Sequence, residues 1–439
     1  MAASRLFAVA VLAAAATFAA PHDHAHVDHT GPSLGQWYHD ESHHVHKLFV
    51  RATSNAPVGS TAWYAQYPDR YGVPSQNEAD IPAAWLAAYK NAKAAGKIPN
   101  LPVTNANDNA HPFPYYGGLD PMGPEVCSST PKCRTGEGDI WDAPSGNIGI
   151  SFDDGPWQGT KILLDFLESN KVAATHYVIG RNVAQQPQDF LRMFNIGNEV
   201  AVHTWSHPQM TTQTDIGVLV ELGWTIQIIH DLTGGRVPKY WRPPTGDSDN
   251  RVRAIAREVF GLQAVMWNQD TEDWSLDTPS PAYTIPKTQE LLNSWLTGPK
   301  NPGLIILEHE LTPTTVGIFI NTTWPGVKAN GWKPNSIAAM FNSSPFQNAA
   351  GNTGAVTPQD DLVVGGNPAG GAAAGSTTSA PSSSSAPGSS SAPKPSQSAP
   401  GSSSGAPSTS APAPSQTTGA ASARFGVALL AVLVGVLLL

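Results

Sequence analysis

NIGISFDDGPWQGTKILLDFLESNKVAATHYVI, residues 147–179, decides the fold class. It opens on a short apolar run, 147–152. A stretch of helical period follows over 158–170, and a second apolar run fills 174–179. Runs this short suit strands buried on both faces, and a helix between two of them makes a βα unit of a parallel sheet.

The pattern repeats outward. Further apolar runs lie at 199–205, 240–242, 262–267 and 304–308, with candidate helices at 182–195, 214–232, 250–260 and 284–297. Strand–helix alternation predicts an α/β fold with a parallel sheet or barrel. Chemistry in a barrel sits at the C-terminal ends of the strands, so site residues should directly follow these runs.

Five motifs do. The first, Asp153-Asp154-Gly155-Pro156, places two carboxylates side by side. Strand side chains alternate, so neighbours normally face opposite ways. A turn at Gly155-Pro156 lets both point into one pocket, although the same residues also make an ordinary exposed turn. The second is His203-Thr204-Trp205-Ser206-His207. Spacing of i, i+4 predicts both imidazoles on one face of a helical turn. With one carboxylate they make the three-ligand set of a catalytic zinc, with a position open for water. Thr204 stands where the zincin motif carries its glutamate base, so the base comes from elsewhere, and Asp153 is free.

The third motif is Trp241-Arg242-Pro243-Pro244-Thr245-Gly246. Arg242 is placed to pair with Asp153. The prolines lack N–H groups, which leaves the Thr245 N–H as a fixed donor for an oxyanion. The plain alternative is a rigid loop with a structural arginine. The fourth, Asp270-Thr271-Glu272-Asp273-Trp274, also reads as an acidic surface loop. The fifth is Leu307-Glu308-His309, in which Leu307 and His309 share a strand face.

Asp-Asp-Gly-Pro, His-x-x-x-His, Arg-Pro-Pro-x-Gly, Asp-x-x-Asp-Trp and Leu-x-His, in this order, resemble the five motifs of the polysaccharide deacetylase family, carbohydrate esterase family four. The resemblance covers roughly 145–320. It implies a distorted (β/α) barrel and metal-dependent hydrolysis of an acetyl group. By motif position, Asp154, His203 and His207 would bind one divalent metal, zinc or alternatively cobalt. Asp153 would be the general base and would also contact acetate. His309 would be the general acid, Arg242 would hold Asp153, and Asp273 would hold His309. The Thr245 N–H would face the oxyanion, and Trp274 and Leu307 would line the acetyl pocket. The family commonly has an aromatic at the Thr245 position; a backbone donor survives that change, but side-chain packing on substrate does not.

The flanks are similar to those of fungal chitin deacetylases. The implied substrate is chitin or its oligomers, converted to chitosan and acetate in wall modification. Acetylated xylan and peptidoglycan are the alternatives in class, and a non-catalytic glycan-binding wall mannoprotein is the alternative outside it. Arg5 precedes an apolar stretch over 6–20 that ends in small residues, so 1–20 reads as a signal peptide. Residues 21–50 form a His-rich leader unable to build a core of its own, and 51–140 an irregular extension wrapped on the catalytic domain, 141–346. A Ser/Thr/Pro/Gly-rich stalk, 347–423, is expected to be disordered. It leads to an apolar tail, 424–439, which reads as a GPI signal with Ser415 and Gly419 as attachment candidates.

Secretion to the outer face of the plasma membrane, with possible transfer to the wall, agrees with the rest of the chain. The two cysteines, Cys127 and Cys133, are expected to pair in an oxidising compartment. Asn321 and Asn342 open N-glycosylation sequons. The chain has 439 residues, a net charge of −9 and no basic run, which argues against nucleic acid. No protein partner is evident in the sequence.

Overall fold

A computed structural model describes residues 39, 42–49, 56–105, 114–134, 138–354 and 356. The signal stretch, the stalk from 357, Ser415, Gly419 and the apolar tail lie outside the described residues.

Among the described residues nine short strands carry the fold: β1 Asn147–Gly149, β2 Ser151–Gly155, β3 Thr175–Val178, β4 Glu199–Val202, β5 Tyr240–Trp241, β6 Gln263–Ala264, β7 Gln269–Asp270, β8 Leu304–Leu307 and β9 Lys333–Asn335. They form two sheets, β2-β3-β4-β5-β6 and β7-β8-β1-β9, and every pairing is parallel. Only Ile150 separates β1 from β2. Its N–H donates to Asn335 O and its carbonyl accepts from Thr175 N–H, so one extended run begins in one sheet and ends in the other. Asp153 also bridges to His309 beyond β8.

Strand faces divide by destination. Tyr177, Ala201, Tyr240, Val265, Ile305 and Leu307 meet in one interior cluster. Their sequence neighbours Phe152, Val178, Val200, Val202, Trp241 and Ile306 face outward into two helix-covered clusters. Both faces are therefore apolar, as parallel strands under helices require. β6 and β7 do not pair with each other among the described residues.

The expected helices form as Thr160–Asn170, Asp215–Leu232, Asn250–Phe260 and Ile285–Thr297. The single helix expected over 182–195 is two, Gly180–Gln185 and Pro187–Asn195. Pro187 has no N–H to continue the ladder and pushes Gln186 out of helical geometry, at φ −129° and ψ 55°.

The N-terminal extension is built into the core. Its helix Ala83–Ala94 buries Trp85, whose Nε1–H donates to Leu48 O at 2.8 Å. The Trp85 ring lies 2.6 Å from where a Cβ on Gly223 would stand, so helix Asp215–Leu232 has a glycine there to admit it. Val45, Leu48 and Phe49, from the end of the His-rich leader, are buried in the same cluster. At the other end Phe346 and Ala349 are buried, and Arg236 donates to Gly351 O and Gly354 O. Packing therefore continues past 346.

Candidate functional site

The site begins with a defect in β2. Pairing with β3 runs Asp153↔Tyr177 and then Gly155↔Val178, so Asp154 is an extra residue, a β-bulge with φ +73°. The bulge turns the Asp154 carboxylate to the side already occupied by Asp153. The adjacent aspartates therefore converge through Asp154's own left-handed backbone, one residue earlier than the Gly155-Pro156 turn expected to do it.

Gly155 is needed for a different reason, which is space. A Cβ there would stand 2.0 Å from Glu310 Oε1. That carboxylate cannot move aside, because it accepts from Thr160 Oγ1 at 2.6 Å and bonds His176 Nδ1 at 2.7 Å in a fully buried network. Gly155→Ala should lower folding stability by about 2–4 kcal/mol, from overpacking and from breaking a buried polar network. Denaturant unfolding of the variant beside the wild-type chain measures it, and an unchanged midpoint would rule out the clash.

Asp153 is 2 % exposed, and its Oδ1 accepts from Arg242 Nη1 at 2.7 Å. Arg242 is fully buried. It also donates to Val265 O at 3.0 Å and to Ser151 Oγ at 3.2 Å, and it stacks over Tyr177 at 4.0 Å. Its donors and its flat face are thus occupied, which is what a desolvated guanidinium requires.

Residues 203–207 form a loop rather than the expected helical turn. Thr204 at φ +65° and His207 at φ +64° break helical geometry, yet the imidazole centroids lie only 5.0 Å apart. The loop is held from below by Glu221, whose Oε2 accepts Trp205 N–H and Ser206 N–H, each at 2.8 Å. Glu221 escaped the motif reading. It is a carboxylate inside the apolar stretch Ile216–Ile226 of helix Asp215–Leu232, and that mismatch was its one visible signal.

Asp154, His203 and His207 present ligand atoms that all lie within 4.8 Å of one another. Asp154 Oδ1 is 3.3 Å from His203 Nε2 and 3.2 Å from His207 Nε2, and it is buried with no hydrogen-bond partner. His203 donates through Nδ1 to Arg242 O at 2.7 Å, which leaves the Nε2 lone pair for the site. Burial pushes His207 down to about 4, so it is neutral near pH 7. Burial opposes the Asp154 charge, but His207 and His203 outweigh it and hold the carboxyl well below its usual range. An orphaned carboxylate oxygen facing two imidazoles fits a divalent cation, and these three residues make a possible metal site.

His309 donates through Nδ1 to Asp273 Oδ1 at 2.6 Å, and its backbone N–H donates to Asp273 Oδ2 at 3.0 Å. Burial disfavours the imidazolium, but Asp273, with smaller contributions from Asp154 and Asp153, overrides this and pushes His309 up to about 10. Asp153, Asp154, His203, His207 and Arg242 are thus joined by direct contacts, and the His309–Asp273 pair reaches them through the backbone bridge between His309 and Asp153.

Thr245 is exposed on a turn at φ +54°. Trp274 is 49 % exposed, with its indole N–H on Glu272. Leu307 is buried in the interior cluster. Cys127 and Cys133 are disulfide-bonded, and Asn321 and Asn342 are exposed. A groove of about 380 Å³ opens on Asp154 and His207, and it is also lined by Tyr71 and Trp157.

The chain is similar to known proteins. The family model described as polysaccharide deacetylase matches residues 142–265, from just ahead of β1 to just past β6. A chitin deacetylase 3 of Cryptococcus neoformans is 39 % identical over 330 residues, 74 % of this chain and 78 % of the relative. A chitin deacetylase of Amylomyces rouxii is 36 % identical over 258 residues, 57 % of this chain and 60 % of that one. Among solved structures, the chitin deacetylase of Colletotrichum lindemuthianum aligns with a TM-score of 0.43 and 23 % identity, over 49 % of this chain and 96 % of that one. With a relative that close over most of both lengths, and the family model seated on the strands that carry the aspartates, the histidine pair and Arg242, this chain belongs to the polysaccharide deacetylase family.

Proposed function

We propose that the protein is a chitin deacetylase, which hydrolyses the N-acetyl groups of chitin to give chitosan and acetate. The observation that carries this is three convergent ligands beside an Arg-paired carboxylate, with an Asp-paired histidine on the neighbouring strand end, in a chain whose relatives are named chitin deacetylases.

Asp154, His203 and His207 would hold one divalent cation, zinc or alternatively cobalt. Bound there, the cation supplies Lewis acidity toward the acetamide carbonyl and makes water more acidic. The remaining work falls to side chains. Arg242 donates to Asp153 Oδ1 and fixes the orientation of the carboxylate. Oδ2 faces the ligand set, 3.7 Å from His203 Nε2. Asp153 accepts the proton of the attacking water. The Thr245 N–H, on a rigid turn, serves the developing oxyanion. His309 is held protonated by Asp273 and gives its proton to the glucosamine nitrogen as the C–N bond breaks. Water has then added across the amide, yielding acetate and an amine.

Secretion and GPI anchoring are part of the proposal. They rest on the Arg5-led apolar stretch, on the Ser/Pro-rich tract before 425–439, and on a disulfide that suits an oxidising compartment.

Acetate release from chitin oligomers, acetylated xylan and peptidoglycan tests the activity. The chitin oligomers should be turned over at least tenfold faster than the others. Faster release from xylan or peptidoglycan would move the substrate class, and no release from any of them, with metal bound, would leave a glycan-binding protein.

A further inference from the structure

The groove beside Asp154 and His207 is not built by the catalytic domain alone. Tyr71 lines it, from a segment that precedes the family-matched residues by about seventy positions. The tyrosine is 69 % exposed, which is unusual for so large a ring on a surface loop.

It is nevertheless held. Asp69 Oδ1 accepts the Tyr71 N–H at 3.0 Å, and Asp69 O accepts the Gly72 N–H at 3.1 Å, closing a tight turn. Gln185, from helix Gly180–Gln185 on the catalytic domain, donates to Arg70 O at 2.8 Å and ties the turn to the groove wall. The Arg70 guanidinium lies 3.9 Å above the Tyr64 ring and 5.1 Å from the Tyr71 ring. A cation over each face-bearing ring restricts both. Trp157 lines the same groove from the end of the first motif, so two aromatic side chains border the path to the ligand set.

An exposed, pre-positioned aromatic face is the surface that a pyranose ring seeks. The axial C–H bonds of a β-linked sugar carry slight positive charge and settle on the negative face of a π system. Because the ring is already fixed, little conformational entropy is lost when a sugar docks. We infer that Tyr71, set by Arg70 and Gln185, is a sugar-stacking platform for a substrate unit beyond the one that is deacetylated. The N-terminal extension thereby makes turnover depend on chain length. This rests on the chitin reading of the site.

The test uses the full chain, loaded with metal, on N-acetylglucosamine oligomers of two and six units. For Tyr71→Ala the ratio of kcat/KM on the hexamer to that on the dimer should fall about tenfold, mainly through KM. Tyr71→Trp should restore the ratio. Val73→Ala, an exposed residue of the same segment that does not line the groove, should keep it. A wild-type ratio in Tyr71→Ala would overturn the inference. Calorimetric binding of the hexamer to wild type and to Tyr71→Ala separates this from the parent reading. If wild type released no acetate but bound the hexamer about tenfold more tightly than the variant, the deacetylase reading would fail and the platform would stand. Equal binding by the two proteins would overturn the platform whatever the activity.

Discussion

Asp153→Asn should lower kcat for acetate release about a thousandfold while the protein keeps its divalent cation. The substitution preserves shape and removes basicity. An amide oxygen still accepts from Arg242 Nη1, which donates at 2.7 Å in the native pair, so the side chain should stay in place. What is lost is the group that takes the water's proton, and a positioned base contributes roughly 10²–10⁴. The three ligands Asp154, His203 and His207 are untouched, so bound metal counted by elemental analysis should match wild type. Arg242 is fully buried and would lose its ionic partner, so the melting temperature should fall as well. Near-native turnover in the metal-loaded variant would remove Asp153 from the base role. Loss of metal together with activity would instead make it a ligand.

Much of this site was legible because its chemistry lies in contiguous words. Each motif sits directly after an apolar run, and parallel topology carries all the strand ends to one side. The backbone that makes the words converge was not legible. Asp154, Thr204, His207, Thr245 and Glu272 all have positive φ without being glycine, and all fall in the motifs. Such residues are sterically disfavoured and persist where surrounding structure over-determines them. Composition cannot announce them, so a helical turn was expected at 203–207 and the convergence of the aspartates was credited to Gly155-Pro156. Strands β7 and β9 are two and three residues of polar or proline-containing chain and offer no apolar run to detect. Residues 80–95 do read as helical, and helix Ala83–Ala94 forms there, but nothing in the sequence marks Leu48, Phe49 and Trp85 as core. The burial of Trp85 depends on a glycine far along the chain, Gly223.

The acid side of the reaction has its own signature in pH. Asp273→Asn should lower kcat by about a hundredfold and draw the alkaline limb of the activity profile toward neutrality. His309 donates to the Asp273 carboxylate at 2.6 Å, and that contact, against the penalty of burial, pushes the imidazole up to about 10 from its ordinary 6.5. A general acid works while protonated, so activity in the native protein should persist to high pH and fall only as His309 loses its proton. A cation on Asp154 would cancel that carboxylate's smaller share and repel the imidazolium, which draws the limb below 10. An asparagine holds the ring through a neutral hydrogen bond only. Burial then prevails, and the proton leaves at or below the usual histidine range. Stability follows with the same sign. Because the folded value lies above the unfolded one, the His309–Asp273 pair stabilises the native state fully below about 6.5, and that contribution is lost as pH rises toward 10. Paired kcat profiles and melting curves across pH 5–11 read both effects. If the asparagine variant kept the native alkaline limb, His309 would not be the acid whose proton reaches the leaving nitrogen.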